Sequence, residues 1–120
     1  MPVILMLAME GQSVRAEAVT QLSNAGHQVV VVEPRFPECK GEIEKLTPGL
    51  VLVDGAQAPS HGRATAAWLA GVARFRTVPF LFLDVPDRDV PKVKKELPRA
   101  QLGTWSAVVG AAERLAKSAR

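Results

Sequence analysis

Short apolar runs alternate with longer stretches in which apolar residues recur every three or four positions. Residues 3–9 are apolar with no turn residue beyond the start, which predicts a buried strand. Residues 13–25 read as a helix: Val14, Ala18 and Leu22 stand four apart, and Val19 and Ala25 flank the stripe. Ser13 suits its start, and Gly26 suits a left-handed stop. Residues 27–33 carry four consecutive valines. A strand apolar on both faces belongs inside a sheet covered on both sides. Pro37 opens a short second helix with Ile43 and Leu46 as apolar contacts, which Gly41 weakens. Residues 50–54 form a third strand. Residues 60–75 form a helix with Ala64, Trp68, Leu69, Val72 and Phe75 on one side. A fourth strand spans 80–85, again apolar on both faces. Asp89 caps a short helix through Leu97, with Pro91 tolerated in its first turn. Residues 101–104 form a short fifth strand, and residues 106–119 a last helix carrying Val108, Val109, Ala112, Leu115 and Ala116.

This is a strand–helix unit five times over, without linker, repeat or low-complexity tract. Buried strands alternating with amphipathic helices imply an α/β fold with a doubly wound parallel sheet. The functional crevice of such sheets lies at the carboxyl ends of the strands. Glu10, Asp54 and Asp84 each follow an apolar strand, so the topology predicts that all three meet at that edge.

The length of 120 residues fits one domain with one core, and 48% hydrophobic residues fit a globular chain. The apolar start reaches Glu10 too soon to span a bilayer and lacks the marks of a signal peptide. A cytoplasmic, non-membrane protein is expected. A single cysteine, Cys39, precludes an internal disulfide. The net charge of +3 comes mostly from the last third: Lys92, Lys94, Lys95, Arg99, Arg114, Lys117 and Arg120. A solvated helix face is the simplest account, and an acidic protein partner the next. No aromatic residues interleave with these cations as a stacking surface for nucleic acid requires. His61 follows Asp54 in a loop, and its neighbour Ser60 makes no catalytic triad with it. The first loop, MEGQS, offers one Gly and one Ser, too few for a phosphate cradle.

Two stretches carry a family resemblance. LVLVD leads into a proline turn with Gly62 eight residues after Asp54, and TVPFLFLDV enters its strand through Pro79. Over essentially its whole length the chain resembles the receiver domains of two-component response regulators. The resemblance implies a flavodoxin-like (βα)5 fold with Asp54 at the phospho-acceptor position. Glu10 precedes Asp54 by 44 residues, the spacing of the family's acid pair, and so takes the place of a metal ligand beside Asp54. The family's Mg²⁺ is the one ion the resemblance admits; no other cofactor is implied.

The machinery departs from the family. The acid pair reads Met9-Glu10. Asp84 stands at the switch position, where the family places Thr or Ser. A carboxylate there opposes a phosphoryl group by about 4 kcal/mol per charge pair at roughly 4 Å in an effective dielectric near 20. The family's lysine falls on Gln101 or Thr104, depending on the gap, and the chain has no tyrosine for the aromatic switch. The resemblance is therefore to a degenerate receiver: not an enzyme, but a protein-interaction module working without phosphorylation. Its expected interaction face holds Lys92, Lys95, Arg99 and Trp105. Trp105 could be exposed there or packed under the last helix. A homodimer through the same face is open. Two alternatives stand beside this: a working phospho-receiver using Asp54, and a small-molecule or metal sensor using the Glu10–Asp54–Asp84 edge.

Overall fold

Five parallel strands make one sheet in the order β2-β1-β3-β4-β5. The structure, a computed structural model, describes residues 3–8, 13–33, 40–55, 59–72 and 75–118. The strands are β1 (Val3–Leu7), β2 (Gln28–Val32), β3 (Pro48–Asp54), β4 (Phe80–Leu83) and β5 (Gln101–Gly103). The helices are α1 (Ser13–Asn24), α2 (Lys40–Ile43), α3 (Pro59–Ala70), α4 (Val90–Glu96) and α5 (Val108–Ser118).

The period of two along each strand divides the core into two layers. Leu5, Leu7, Val51, Val53, Phe80 and Phe82 face one way, onto Ile43, Ala66, Leu69 and Val93 of α2, α3 and α4 and onto Leu97 just after α4. Ile4, Met6, Leu50, Leu52, Leu81 and Leu83 face the other way, onto Ala18, Leu22, Val108, Ala112 and Leu115 of α1 and α5. Burying one such Leu or Phe side chain contributes roughly 1.5–3 kcal/mol, so the two layers together carry the fold.

α1 ends as the sequence predicts. Gly26 has φ 94°, Gly26 N–H donates to Ser23 O at 3.0 Å, and His27 N–H donates to Leu22 O at 3.0 Å. That pair of bonds is a Schellman stop, and it turns the chain straight into β2.

Other elements depart from expectation. β2 is an edge strand, not an interior one. Its valines are still covered on both faces, Val30 and Val32 by one layer and Val29 and Val31 by the other. Apolarity on both faces reports coverage, not the number of neighbouring strands. α3 ends at Ala70 rather than 75: Gly71 and Val72 bond to Trp68 O and Leu69 O, a tightened last turn. Phe75 still reaches the core from the connector, while Ala64 is exposed and Thr65 and Ala66 are fully buried in its place. Asp89 lies at the N-cap of α4 but makes no side-chain cap bond; its carboxylate faces Lys92 Nζ at 3.6 Å. A 3₁₀ turn, Trp105–Ala107, precedes α5. Of α2 only Lys40–Ile43 is described, and Pro37 lies outside the described residues.

Candidate functional site

β3 is an interior strand between β1 and β4, and its last residue is paired on the β4 side. Asp54 pairs with Leu83 of β4 and is 3% exposed. In the pleat it continues the row of Leu50 and Leu52, toward the α1/α5 layer. The next residue prolongs the ladder: Gly55 N–H donates to Leu83 O at 2.7 Å. Gly55 is required by close approach. A Cβ there would overlap the Val85 side chain and stand 2.9 Å from the Leu83 carbonyl.

β4 stops at Leu83, short of the predicted 85, because Asp84 has φ 55°. Asp tolerates this left-handed conformation better than most residues, since its short side chain bonds locally. Asp84 N–H donates to Gly103 O at 3.0 Å, and Asp84 Oδ1 accepts the N–H of Trp105 at 3.3 Å. The exposed carboxylate thus sits at the first turn leading into α5, where helix N–H groups favour an anion. It borders a cleft of about 390 Å³ shared with Glu17 and Gln21 of α1 and with Thr104 and Ser106.

The register sets Gln101 and Thr104 apart. Gly103 pairs with Leu83, so Thr104 follows at the Asp54 edge, whereas Gln101 lies two residues back, level with Leu81. Thr104 Oγ1 and Ser106 Oγ are hydrogen-bonded at 3.1 Å. A neutral hydroxyl therefore occupies the edge where the resemblance implies a cation.

The expected three-carboxylate cluster is described only in part. Glu10 lies outside the described residues. Asp54 is buried, while Asp84 is exposed and engaged with Trp105. Among the described residues no three of His, Cys, Asp and Glu converge on a common point. Asp54 alone is too few oxygens for a hard cation such as Mg²⁺, which takes several. His61 belongs to the first turn of α3 rather than to a loop.

The expected interaction face is also revised. Of the two placements open to Trp105, the structure has the packed one: it is 7% exposed and belongs to the α1/α5 layer. It cannot serve as an exposed contact. Lys92, Lys95 and Arg99 are exposed, and Lys92 faces Asp89. Among the described residues the exposed large apolar one is Leu102 of β5, at 41%. Sequence reading missed it; the signal was a fifth strand too short to be anything but an edge. Arg63 of α3 was missed too. Its Nε lies 3.8 Å from Glu96 Oε2 of α4.

No family model matches this sequence, and neither does any curated protein. Solved structures do match. The signal receiver domain of a signal transduction histidine kinase from Syntrophus aciditrophicus is 23% identical, with a TM-score of 0.71 over 98% of this chain and 92% of that one. The phosphorylated cyanobacterial phytochrome response regulator RcpA is 16% identical, with a TM-score of 0.73 over 99% and 96%. The Mn²⁺-bound form of response regulator Rcp1 is 18% identical, with a TM-score of 0.65 over 92% and 91%. The chain has the flavodoxin-like fold of response-regulator receiver domains. No described helix is long and apolar enough to cross a membrane.

Proposed function

We propose that the chain is a degenerate receiver in a signalling pathway, acting by docking a protein partner rather than by switching on phosphorylation, and not as an enzyme. One observation carries this reading: the bond from Asp84 Oδ1 to the Trp105 N–H. In a phospho-switch the residue at this place offers a hydroxyl toward the acceptor. Here that place holds a carboxylate already bonded to the Trp105 N–H, which has no hydroxyl to offer and adds negative charge at the edge where a phosphoryl group would carry about two more. Thr104 adds no cation to offset them. The docking residues are the exposed Lys92, Lys95 and Arg99, joined by the exposed Leu102 of β5. They suit an acidic partner that also offers an apolar contact. The site of action is the cytoplasm.

A second reading keeps Asp54 as a working phospho-acceptor. It is favoured by the acceptor itself, present and buried at the end of an interior strand, and by the likeness to the phosphorylated RcpA. Glu10 would then join Asp54 in holding Mg²⁺, whose role is to offset the repulsion between two anions.

Amide NMR spectra with Mg²⁺, and then with Mg²⁺ plus beryllofluoride, separate the two. The docking reading expects no shift at Asp54, Asp84 or residues 101–107. Shifts there with beryllofluoride alone would replace it with the phospho-receiver. Shifts with Mg²⁺ alone would replace it with a metal sensor.

A further inference from the structure

The sheet has a second open end, where the strands begin. There a cleft of about 310 Å³ opens between the α3–β4 connector, the last turn of α4 and the first residue of β5. Ligand pockets start at roughly 300 Å³, so this one has room for a small molecule only. Its floor is apolar. Val78, Pro79 and Ala100 line it half-buried, over Phe75, Phe80 and Leu97, which are at most 7% exposed.

Its rim is cationic. Arg76 and Arg99 both line the cleft and both are exposed. Arg99 does not wave freely. Its Nη2 donates to the backbone carbonyl of Arg76 at 2.8 Å. That bond uses one of the five N–H donors of a guanidinium and orients the rest of the fork. The one acid on the wall, Glu96, has its carboxylate 3.8 Å from Arg63 Nε on α3. The lining therefore carries an excess of positive charge above a hydrocarbon floor.

We propose that this cleft binds a small apolar carboxylate. The hydrocarbon body rests on Val78, Pro79 and Ala100, backed by Phe75, Phe80 and Leu97, and the carboxylate meets Arg99 and Arg76. A guanidinium fork matches a carboxylate in two parallel hydrogen bonds, which a neutral ligand cannot reproduce. The apolar floor in turn rejects a bare inorganic anion, which would lose its hydration there without replacement. Occupancy would bridge the end of α4 to the start of β5, the two elements that frame the basic face. The cleft lies at the opposite end of the strands from Asp54, so this input is independent of phosphorylation at that residue.

The test is an amide NMR titration of the full chain with benzoate, with benzamide as its neutral counterpart and with inorganic phosphate as an anion lacking an apolar body. Benzoate is expected to give saturable shifts confined to residues 75–78 and 96–101. Benzamide should bind about tenfold more weakly, the fold-change that one charge-assisted hydrogen bond supplies. Phosphate should not saturate. Arg99→Gln and, separately, Arg76→Gln should each weaken benzoate by about fivefold or more while the rest of the spectrum stays in place. Equal binding of benzamide would reduce the cleft to a hydrophobic groove. Saturable phosphate binding would reduce it to a general anion patch. Absence of saturable shifts with benzoate, or benzoate binding unchanged in both variants, would overturn the proposal outright.

Discussion

Asp84 Oδ1 accepts the backbone N–H of Trp105 across 3.3 Å, from a residue whose own φ is 55°. One side chain thus joins the end of β4 to the turn that starts α5, and does so from a backbone conformation most residues avoid. The residue type fits the conformation: a hydroxyl on a branched Cβ would not serve as well.

A hydroxyl residue at this position should therefore harm the fold. Asp84→Thr places a β-branched residue at positive φ and should cost about 1–2 kcal/mol or more. Asp84→Asn keeps both an acceptor and tolerance of this conformation, and should stay close to the parent. Asp84→Ala should fall between them. Urea denaturation of the three variants gives the order, read as midpoints at constant m-value.

Trp105 behaves as a core residue. Trp105→Ala should lower stability by about 3–5 kcal/mol, the range for large-to-small changes at aromatic core positions. A surface contact would lose almost nothing. In a Trp68→Phe background the remaining indole should emit as a buried one and shift to the red on unfolding.

Gly55→Ala should destabilise by about 1–3 kcal/mol, because the added methyl group has to displace Val85 or the Leu83 carbonyl. Thermal unfolding measures this directly. A cost near zero would mean that the loop after β4 yields easily.

Arg63 makes a poor ion pair from a nearly buried position. Its side chain is 13% exposed, and its Nη1 is buried with no hydrogen-bond partner among the described residues. Arg63→Met, similar in shape and apolar, should come within about 1 kcal/mol of the parent or exceed it, as buried ion pairs replaced by hydrocarbon often do. The Glu96 side chain is 45% exposed, so a double-mutant cycle between Arg63 and Glu96 should give a coupling below about 1 kcal/mol.

Most of the fold was legible in the sequence because apolar spacing is a strong signal. The paired layers of β3 and β4 and the stop at Gly26 follow from it directly. The edge position of β2 was not legible, because four valines look the same with one neighbouring strand or two. The early ends of α3 and β4 were not legible for a different reason. β4 is ended by the left-handed torsion at Asp84 and α3 by a tightened last turn at Gly71 and Val72, while apolar residues continue the pattern beyond both. The place of Asp54 at the end of β3 was legible from the apolar run before it. The direction of the Asp84 carboxylate was missed, since a left-handed residue breaks the strand alternation on which such a reading depends. Only paired registers separated Thr104 from Gln101, and a sequence does not contain them. Glu10 lies outside the described residues, so its part in the site rests on spacing alone.

β5 is three residues long and pairs with β4 alone. Its one flank is open to solvent, and its central residue, Leu102, faces outward. Segments held by so little open without the rest of the molecule, so amide hydrogens of 101–103 should exchange with solvent through local opening while those of β1 and β3 wait for global unfolding. The same strand borders both the basic face and the arginine-rimmed cleft. The part of the molecule offered to a partner is thus the part with the least protection of its own, and whatever settles there will announce itself first as slowed exchange along this one short strand.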